Sequence, residues 1–463
     1  MPRDPSSQAL DNDLIVAVAT APGQGGVGIV RLSGAGALQL GQTLTRRSLV
    51  ARQAIYCQFF DQQDHLIDEG LALWFPEQRS FTGEEVVELQ AHGSPVVLQL
   101  LLDACRELGA RLARPGEFSE RAFLHGRMDL AQAEAVADLI AASSAAAARS
   151  AVRSLRGDFS RDVNVLADDL GGLRVLVEAC IDFPEEEVEH LQSAGVAARV
   201  EVLLKALRAL LQQCGQGRLM NEGVSVALLG APNVGKSSLL NVLAGEEAAI
   251  VTDIPGTTRD LLKVDLVLDG VPVRLVDTAG LRVTEDVVEK LGVARAREQA
   301  QQADLIVLLL DAGQLEEVRE EGVATAVAST RQSLHVSDQV PLLAVLNKID
   351  LLEPEQRNAR SASYVGVSAL HNQGIETLKR AILQQLGRDD TEVPYTARAR
   401  HIAALESART HLHEAADQLA QGHSSELIAE ALRAAHMDLG EIVGTVTPDD
   451  LLGRIFSEFC IGK

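Results

Sequence analysis

The chain has 463 residues, with 65 acidic and 42 basic side chains, a formal net charge of -23 and a pI near 4.9. That length holds two to four domains at roughly 100–200 residues each, and a hydrophobic content of 46% excludes a disordered chain. The acid excess runs along the whole sequence with no long basic segment, which excludes a protein that grips nucleic acid through a broad cationic face.

Residues 14–127 mix short strand-like runs, such as Leu14–Ala19, Gly28–Leu32 and Leu71–Phe75, with Gly and Pro turns. One stretch, Pro95–Leu108, carries apolar residues at helical spacing, so this region reads as an α+β domain. From Asp129 to Arg156 the chain is rich in Ala and free of Gly and Pro, which favours helix. Asp182–Glu189 is an acidic break. Val200, Leu203, Leu204, Leu207, Leu210 and Leu211 then share one face of an amphipathic helix.

At Val224 the texture changes. Runs 224–230, 273–277, 305–311 and 342–348 are apolar strands separated by helical segments, the pattern of a parallel βαβ sheet. After about residue 387 helices return, at His401–Leu419, Ser425–Val443 and Asp449–Phe459. The expected architecture is multidomain α/β, with a parallel βαβ domain at 221–386. It is inserted into a discontinuous α-helical domain made from 128–220 and 387–463, behind an N-terminal α+β domain at 1–127. No apolar run approaches the roughly 18 residues of a membrane span, and Met1–Asp13 has the character of neither a secretory signal nor a transit peptide. Cys57, Cys105, Cys180, Cys214 and Cys460 are scattered and lack CxxC spacing. A reducing cytoplasm is expected, with no disulfide frame and no zinc site.

Gly230 to Ser237 match G-x-x-x-x-G-K-[ST] between a strand and a helix. In that setting the loop N–H groups cradle phosphates, Lys236 neutralises the outer ones and Ser237 ligates Mg²⁺. Asp277, Thr278, Ala279 and Gly280 close a later strand. Asp277 would hold Mg²⁺ through water, and Gly280 would offer its N–H to the γ-phosphate. Upstream, the polar loop from Gly256 to Asp260 can bring a hydroxyl, first of all that of Thr258, to the same metal. Asn347, Lys348 and Asp350 end another apolar strand. An ionised carboxylate at Asp350 accepts both the N1–H and the 2-amino group of guanine, a donor pair adenine lacks. Ser368, Ala369 and Leu370 would close over the base. These elements in this order point to GTP and make 221–386 a Ras-like P-loop GTPase domain.

Leu281 follows the DTAG segment where a Gln would orient the attacking water. Glu289 is one substitute for it, and an exposed carboxylate at a helix start is the alternative. Arg259 and Arg282 are the nearest cations, although both also read as surface charges. Asn233 has a side-chain oxygen inside the loop that can take a monovalent cation.

GAPNVGKSSLLN, AAIVTDIPGTTRD, DTAGLR and the terminal LLGRIFSEFCIGK, with GGVGIVRLSG, SFTGEEVVELQ and RPGEFSERAFLHGRMDLAQAEA, resemble the bacterial tRNA-modification GTPase family MnmE, also called TrmE. The resemblance covers nearly the whole chain. It implies an N-terminal domain that binds a tetrahydrofolate derivative and forms a homodimer. It also implies a flavoprotein partner, MnmG (GidA), which carries FAD and joins it in a heterotetramer. Together they would place an aminomethyl or carboxymethylaminomethyl group on C5 of the wobble uridine, U34, of tRNA. By motif position Arg31, Glu88, Arg127 and Lys463 fall on the family's folate contacts.

K⁺ would be held by Asn233, Thr252, Ile254 and Thr257, and the family's catalytic Glu falls on Glu289. The nucleotide site would also take in Val234, Gly235, Ser238, Asp253 and Pro255, the last standing where some members carry Ala. Cys460 reads as a nucleophile near folate or as a small buried residue. A ribosome-assembly GTPase would carry a basic RNA-binding appendage or a second nucleotide domain, and neither is present in this sequence.

Overall fold

The computed structural model describes residues 13–181, 195–247, 263–277, 297–298, 300–313, 320–337, 340–353, 364–387, 395–445, 449–457 and 459–462. The acidic break at Asp182–Glu189 lies outside them. Contacts divide the chain into two units. One takes Met1–Ala137, Leu155–Val196 and Asp417–Lys463, and the other takes Asp138–Ser154 and Ala197–Ala416. Among the described residues no helix is long and apolar enough to cross a membrane.

The first unit opens with β1 (Ile15–Val18), β2 (Gly25–Ser33), α1 (Ala37–Thr45), β3 (Ile55–Phe60), β4 (Leu66–Phe75), β5 (Val86–Gly93), α2 (Pro95–Glu107), β6 (Arg111–Leu112) and α3 (Glu117–Leu124). The strands form one sheet in the order β3-β4-β5-β2-β1-β6, antiparallel except for the β1–β6 pair. Alternation sorts the side chains by face. Val16, Val30, Leu32, Val87 and Leu89 pack with Leu40, Leu44, Leu98 and Leu101 from α1 and α2. Ile15 and Ala17 face the other way, onto Ala113 and Phe118. Arg31 lies between Val30 and Leu32, so its side chain leaves on that opposite face.

The chain continues with α4 (Leu130–Ala141), α5 (Ala145–Leu155), α6 (Asp158–Ile181) and α7 (Val196–Glu222). The helical stretch expected from 129 to 156 is therefore two helices. They part at Ser144, whose Oγ accepts the Ala147 N–H at 3.1 Å as a helix N-cap.

Next come β7 (Val224–Gly230), α8 (Lys236–Glu247), β8 (Lys263–Leu268), β9 (Val271–Asp277), β10 (Leu305–Asp311), α9 (Glu320–Leu334), β11 (Leu342–Asn347), β12 (Val365–Gly366) and α10 (Ile375–Gln385). The second sheet runs β12-β11-β10-β7-β9-β8 and is parallel except for the antiparallel edge strand β8. Strand β8 is an addition to the expected βαβ pattern. The central strands are buried on both faces. Val226, Leu228, Val307 and Leu309 point into one core, and Ala227, Leu229, Ile306 and Leu308 into the other.

The last helices are α11 (Ala399–Gln421), α12 (Ser425–Val443) and α13 (Asp449–Ser457). Within the first unit α12 packs along α6. Ile455 and Phe456 of α13 join Leu130, Ala133 and Phe459 in a small apolar cluster.

Candidate functional site

The phosphate loop connects β7 to α8. Gly230 has φ +153° and Gly235 φ +102°, and added Cβ atoms would meet Leu309 O at 2.5 Å and Asn347 Nδ2 at 2.3 Å. Both positions therefore require glycine. Asn233 is left-handed at φ +64°, a conformation Asn tolerates better than most residues. The N–H groups at the start of a helix such as α8 carry partial positive charge and favour an anion. Lys236 is buried, and its ammonium donates to Gly230 O at 2.7 Å and to Ala231 O at 2.9 Å. Ser237 and Ser238 are exposed in the first turn of α8, whereas Val234 is buried.

Three segments are tied to this loop at the end of β11. Asn347 is buried; its Nδ2 donates to Val234 O at 2.8 Å, and its Oδ1 accepts the Ala369 N–H at 3.2 Å. Lys348 donates to Asn233 O at 3.0 Å and to Asp311 Oδ2 at 2.6 Å. The Asp350 carboxylate accepts from Ser368 Oγ at 2.5 Å, and His371 Nε2 stands 4.0 Å away. Ser368 and Gln373 exchange backbone hydrogen bonds of 2.9 and 3.1 Å, while Leu370 is exposed. The fold thus brings Asn233, Val234, Gly235, Lys236, Asn347, Lys348, Asp350, Ser368 and Ala369 into one site. Asp277 ends β9 opposite Leu228, at the phosphate-loop end of the sheet.

Thr252, Asp253, Ile254, Pro255, Gly256, Thr257, Thr258, Thr278, Ala279, Gly280 and Glu289 lie outside the described residues, as do Arg259, Leu281, Arg282 and Lys463. Among the described residues no group of three or more His, Cys, Asp or Glu side chains could hold a metal ion.

In the N-terminal sheet Arg31 and Glu88 are directly paired in the β2–β5 register, with Arg31 Nε donating to Glu88 Oε1 at 2.9 Å. The guanidinium lies 5.9 Å from the Phe81 ring and 5.8 Å from the Phe118 ring. The C-terminal tail reaches the same place, where Arg31 Nη1 donates to Gly462 O at 3.5 Å. Ile461 bridges Pro115, and Cys460 O accepts the Gly116 N–H at 3.4 Å. Gly462 has φ +94°, and a Cβ there would stand 2.2 Å from Val18 O, so only glycine lets the tail lie against β1. Arg127 is exposed, and its Cγ lies 3.3 Å from where a Cβ on Gly83 would stand. Cys460 is exposed and so is no buried packing residue. Burial pushes the Cys105 and Cys214 thiols up to about 12, which keeps both protonated and inert.

Sequence reading missed the charges that frame this site. Buried Arg121 donates to Asp13 at 2.7 Å, to Glu117 at 3.0 Å and to Glu84 at 3.1 Å. Arg111 spans Asp13 at 2.6 Å and Glu117 at 2.7 Å, and Ser33 Oγ donates to Glu84 at 2.7 Å. Burial alone would raise the Glu117 carboxyl. The Arg111 guanidinium, the Arg114 N–H and Arg121 outweigh it and hold the group at about 2. The available signal was the charge-rich motif run from Arg114 to Arg121, read only as a family mark.

The profile described as "MnmE helical domain" matches residues 130–460, and that described as "GTP-binding protein TrmE N-terminus" matches 14–127. The chain belongs to the MnmE family of tRNA modification GTPases. A protein of that name from Dechloromonas aromatica is 49% identical over 459 residues, 98% of this chain and 100% of its own length. MnmE of Nitrosomonas europaea is also 49% identical, over 98% of this chain and 99% of its own. MnmE of Hydrogenovibrio crunogenus is 47% identical over the same shares. These MnmE relatives match both the N-terminal sheet and the nucleotide sheet, so family membership covers both sites.

Proposed function

We propose that this chain is a K⁺-dependent GTPase of the cytoplasm that acts as a homodimer. With the flavoprotein MnmG and its FAD, it would convert U34 of tRNA to the (carboxymethyl)aminomethyl form. The observation that carries the GTPase reading is the stapling of Asn347 and Lys348 to the carbonyls of Val234 and Asn233. It holds a guanine-reading carboxylate at a fixed reach from a phosphate-binding loop. Asp350 accepts the N1–H and 2-amino donors of guanine, while Lys236 and the start of α8 take the phosphates.

The donor chemistry fits two cations. Exposed Ser237 offers a hard hydroxyl oxygen for Mg²⁺, with Thr258 as its expected second ligand. Asn233 has its backbone oxygen engaged by Lys348 and its side chain exposed, which suits a K⁺ ligand with Thr252, Ile254 and Thr257. When bound, K⁺ supplies fixed positive charge beside the transferring phosphoryl group. Glu289 orients the attacking water in place of the Gln that Leu281 excludes.

In the N-terminal domain, Arg31 and Arg127 suit the carboxylates of a tetrahydrofolate derivative and Glu88 its ring donors, with Lys463 as a further expected contact. Exposed Cys460 is carried on the tail that reaches Arg31 and suits a role in the one-carbon step.

Three outcomes test the reading. Asp350→Asn shifts nucleotide preference from GTP toward XTP; unchanged selectivity removes the guanine assignment. Replacing K⁺ with Na⁺ strongly lowers GTP turnover by the wild-type chain, and equal rates remove the K⁺ assignment. Cells lacking the protein accumulate unmodified U34 by nucleoside mass spectrometry, and normal tRNA sinks the modification role.

A further inference from the structure

We propose that Asp311 is a positioning residue that aims Lys348 at the phosphate loop, so that the guanine-reading segment sets the shape of the loop around Asn233. This rests on the GTPase reading above. Asp311 is the last residue of β10 and pairs with Asn347 in the β10–β11 register. It is buried, and each carboxylate oxygen has a job. Oδ2 takes the Lys348 ammonium at 2.6 Å, and Oδ1 accepts the Gly313 N–H at 2.9 Å. The turn is pinned again where Ala312 N donates to Asn347 O at 2.9 Å.

A lysine ammonium sits on a flexible stem and has no direction of its own. Lys348 also has a left-handed backbone at φ +64°, an uncommon state for a residue without an amide or carboxylate side chain of short reach. Asp311 supplies the missing direction. It holds the ammonium where a second N–H reaches Asn233 O at 3.0 Å. Asn347 meets the next carbonyl, Val234 O, at 2.8 Å. Two consecutive loop carbonyls are thus held from the strand that leads to Asp350. The Asn347 amide is held by the Ala369 N–H at 3.2 Å, whereas the Lys348 contact depends on a charge, that of Asp311. Loss of its charge frees the ammonium, and Asn233 then loses the restraint on its carbonyl. The exposed side chain of Asn233, the proposed K⁺ ligand, loses its fixed base.

The test uses the full chain. Asp311→Asn keeps the shape and the Gly313 bond but removes the charge. Fluorescent GDP binding is expected to weaken about tenfold, the order expected from loss of one charge-assisted hydrogen bond. The K⁺ concentration for half-maximal GTP turnover rises, and the thermal midpoint of the nucleotide-free chain stays near wild type. Lys348→Ala gives a similar loss, and adding Asp311→Asn to it costs nothing more. Asp311→Glu, which restores the charge, recovers part of the affinity and covers the case in which Asp311→Asn fails to fold.

Affinity within about twofold of wild type, or additive losses in the double variant, overturns the proposal. Lost affinity with an unmoved K⁺ requirement overturns its phosphate-loop half. A wild-type chain that does not bind GDP, or whose turnover ignores K⁺, instead fails the reading on which the proposal rests.

Discussion

Glu117 is 1% exposed at the start of α3, yet it stays ionised because Arg111, Arg114 and Arg121 surround it. Its folded carboxyl titrates at about 2 against an ordinary value of 4.5. A depressed carboxylate contributes stability that is fully present above about pH 4.5 and is lost as the pH falls toward about 2. Replacing one member of a buried ion cluster leaves the others uncompensated, so Glu117→Gln is expected to cost about 3 kcal/mol at neutral pH. Trp74 is the only tryptophan and lies in β4 of the same sheet, so its fluorescence reports this unit. Denaturant unfolding should show a gap between wild type and variant at pH 7 that narrows below pH 4.5. A gap constant down to pH 3 would show that the Glu117 carboxyl is not depressed in the folded state.

Sequence motifs named Asp350 and Lys236 because the chemistry of each can be stated for one residue at a time. The Asp13, Glu84, Arg111, Glu117 and Arg121 cluster was not legible, because its members come from four separate segments. Asn347 was read as part of a base-binding motif, and its side chain proves to join the phosphate loop to Ala369.

At the level of elements, period and composition located the strands of the second sheet and the helix Ser425–Val443, since burial on one face or two dictates those patterns. They passed over the gap between α4 and α5, because an Ala-rich stretch without Gly or Pro carries no break signal. The break depends on a tertiary partner. Ser144 both caps α5 and donates to Gly270 O at 2.7 Å in the β8–β9 turn. Edge strand β8 was missed because Lys263 and Asp265 interrupt its apolar run.

Helix α7 gives a sharper case. Gly215 and Gly217 are two residues apart on it, and sequence alone cannot tell them apart. A Cβ on Gly215 meets nothing within 4 Å, whereas one on Gly217 would stand 1.5 Å from Tyr395 O. The segment from Tyr395 to Arg398 crosses the helix there, held by Arg153 on the Tyr395 ring and by Ser154 and Asp138 on Thr396. Gly215→Ala should therefore raise stability by up to about 1 kcal/mol through helix propensity. Gly217→Ala should destabilise through a backbone clash that no rotamer relieves. Calorimetric midpoints of the two variants should move in opposite directions. A shift of the same sign in both would show that the strap does not cross α7 at Gly217.

For the whole molecule the net charge of -23 sets the electrostatics of an RNA-modifying role. Several of its cations are already matched within the chain. Arg31 meets Glu88, Arg111 and Arg121 meet the Glu117 cluster, Arg174 meets Glu178, Arg398 meets Asp138 and Arg433 meets Glu430. A GTPase needs no cationic surface, because loop N–H groups, one lysine and bound cations answer its phosphates. A tRNA is different, since its affinity comes largely from phosphates neutralised by Lys and Arg. If the proposed flavoprotein partner joins this chain, the capture of tRNA should fall mainly on that partner. This chain alone should bind tRNA weakly, with whatever binding there is disappearing as KCl is raised toward about 0.15 M. Adding the partner should restore binding at that salt. Filter binding across a KCl series, with and without the partner, reads both, and tight binding by this chain alone at that salt would show that it carries a cationic tRNA surface of its own.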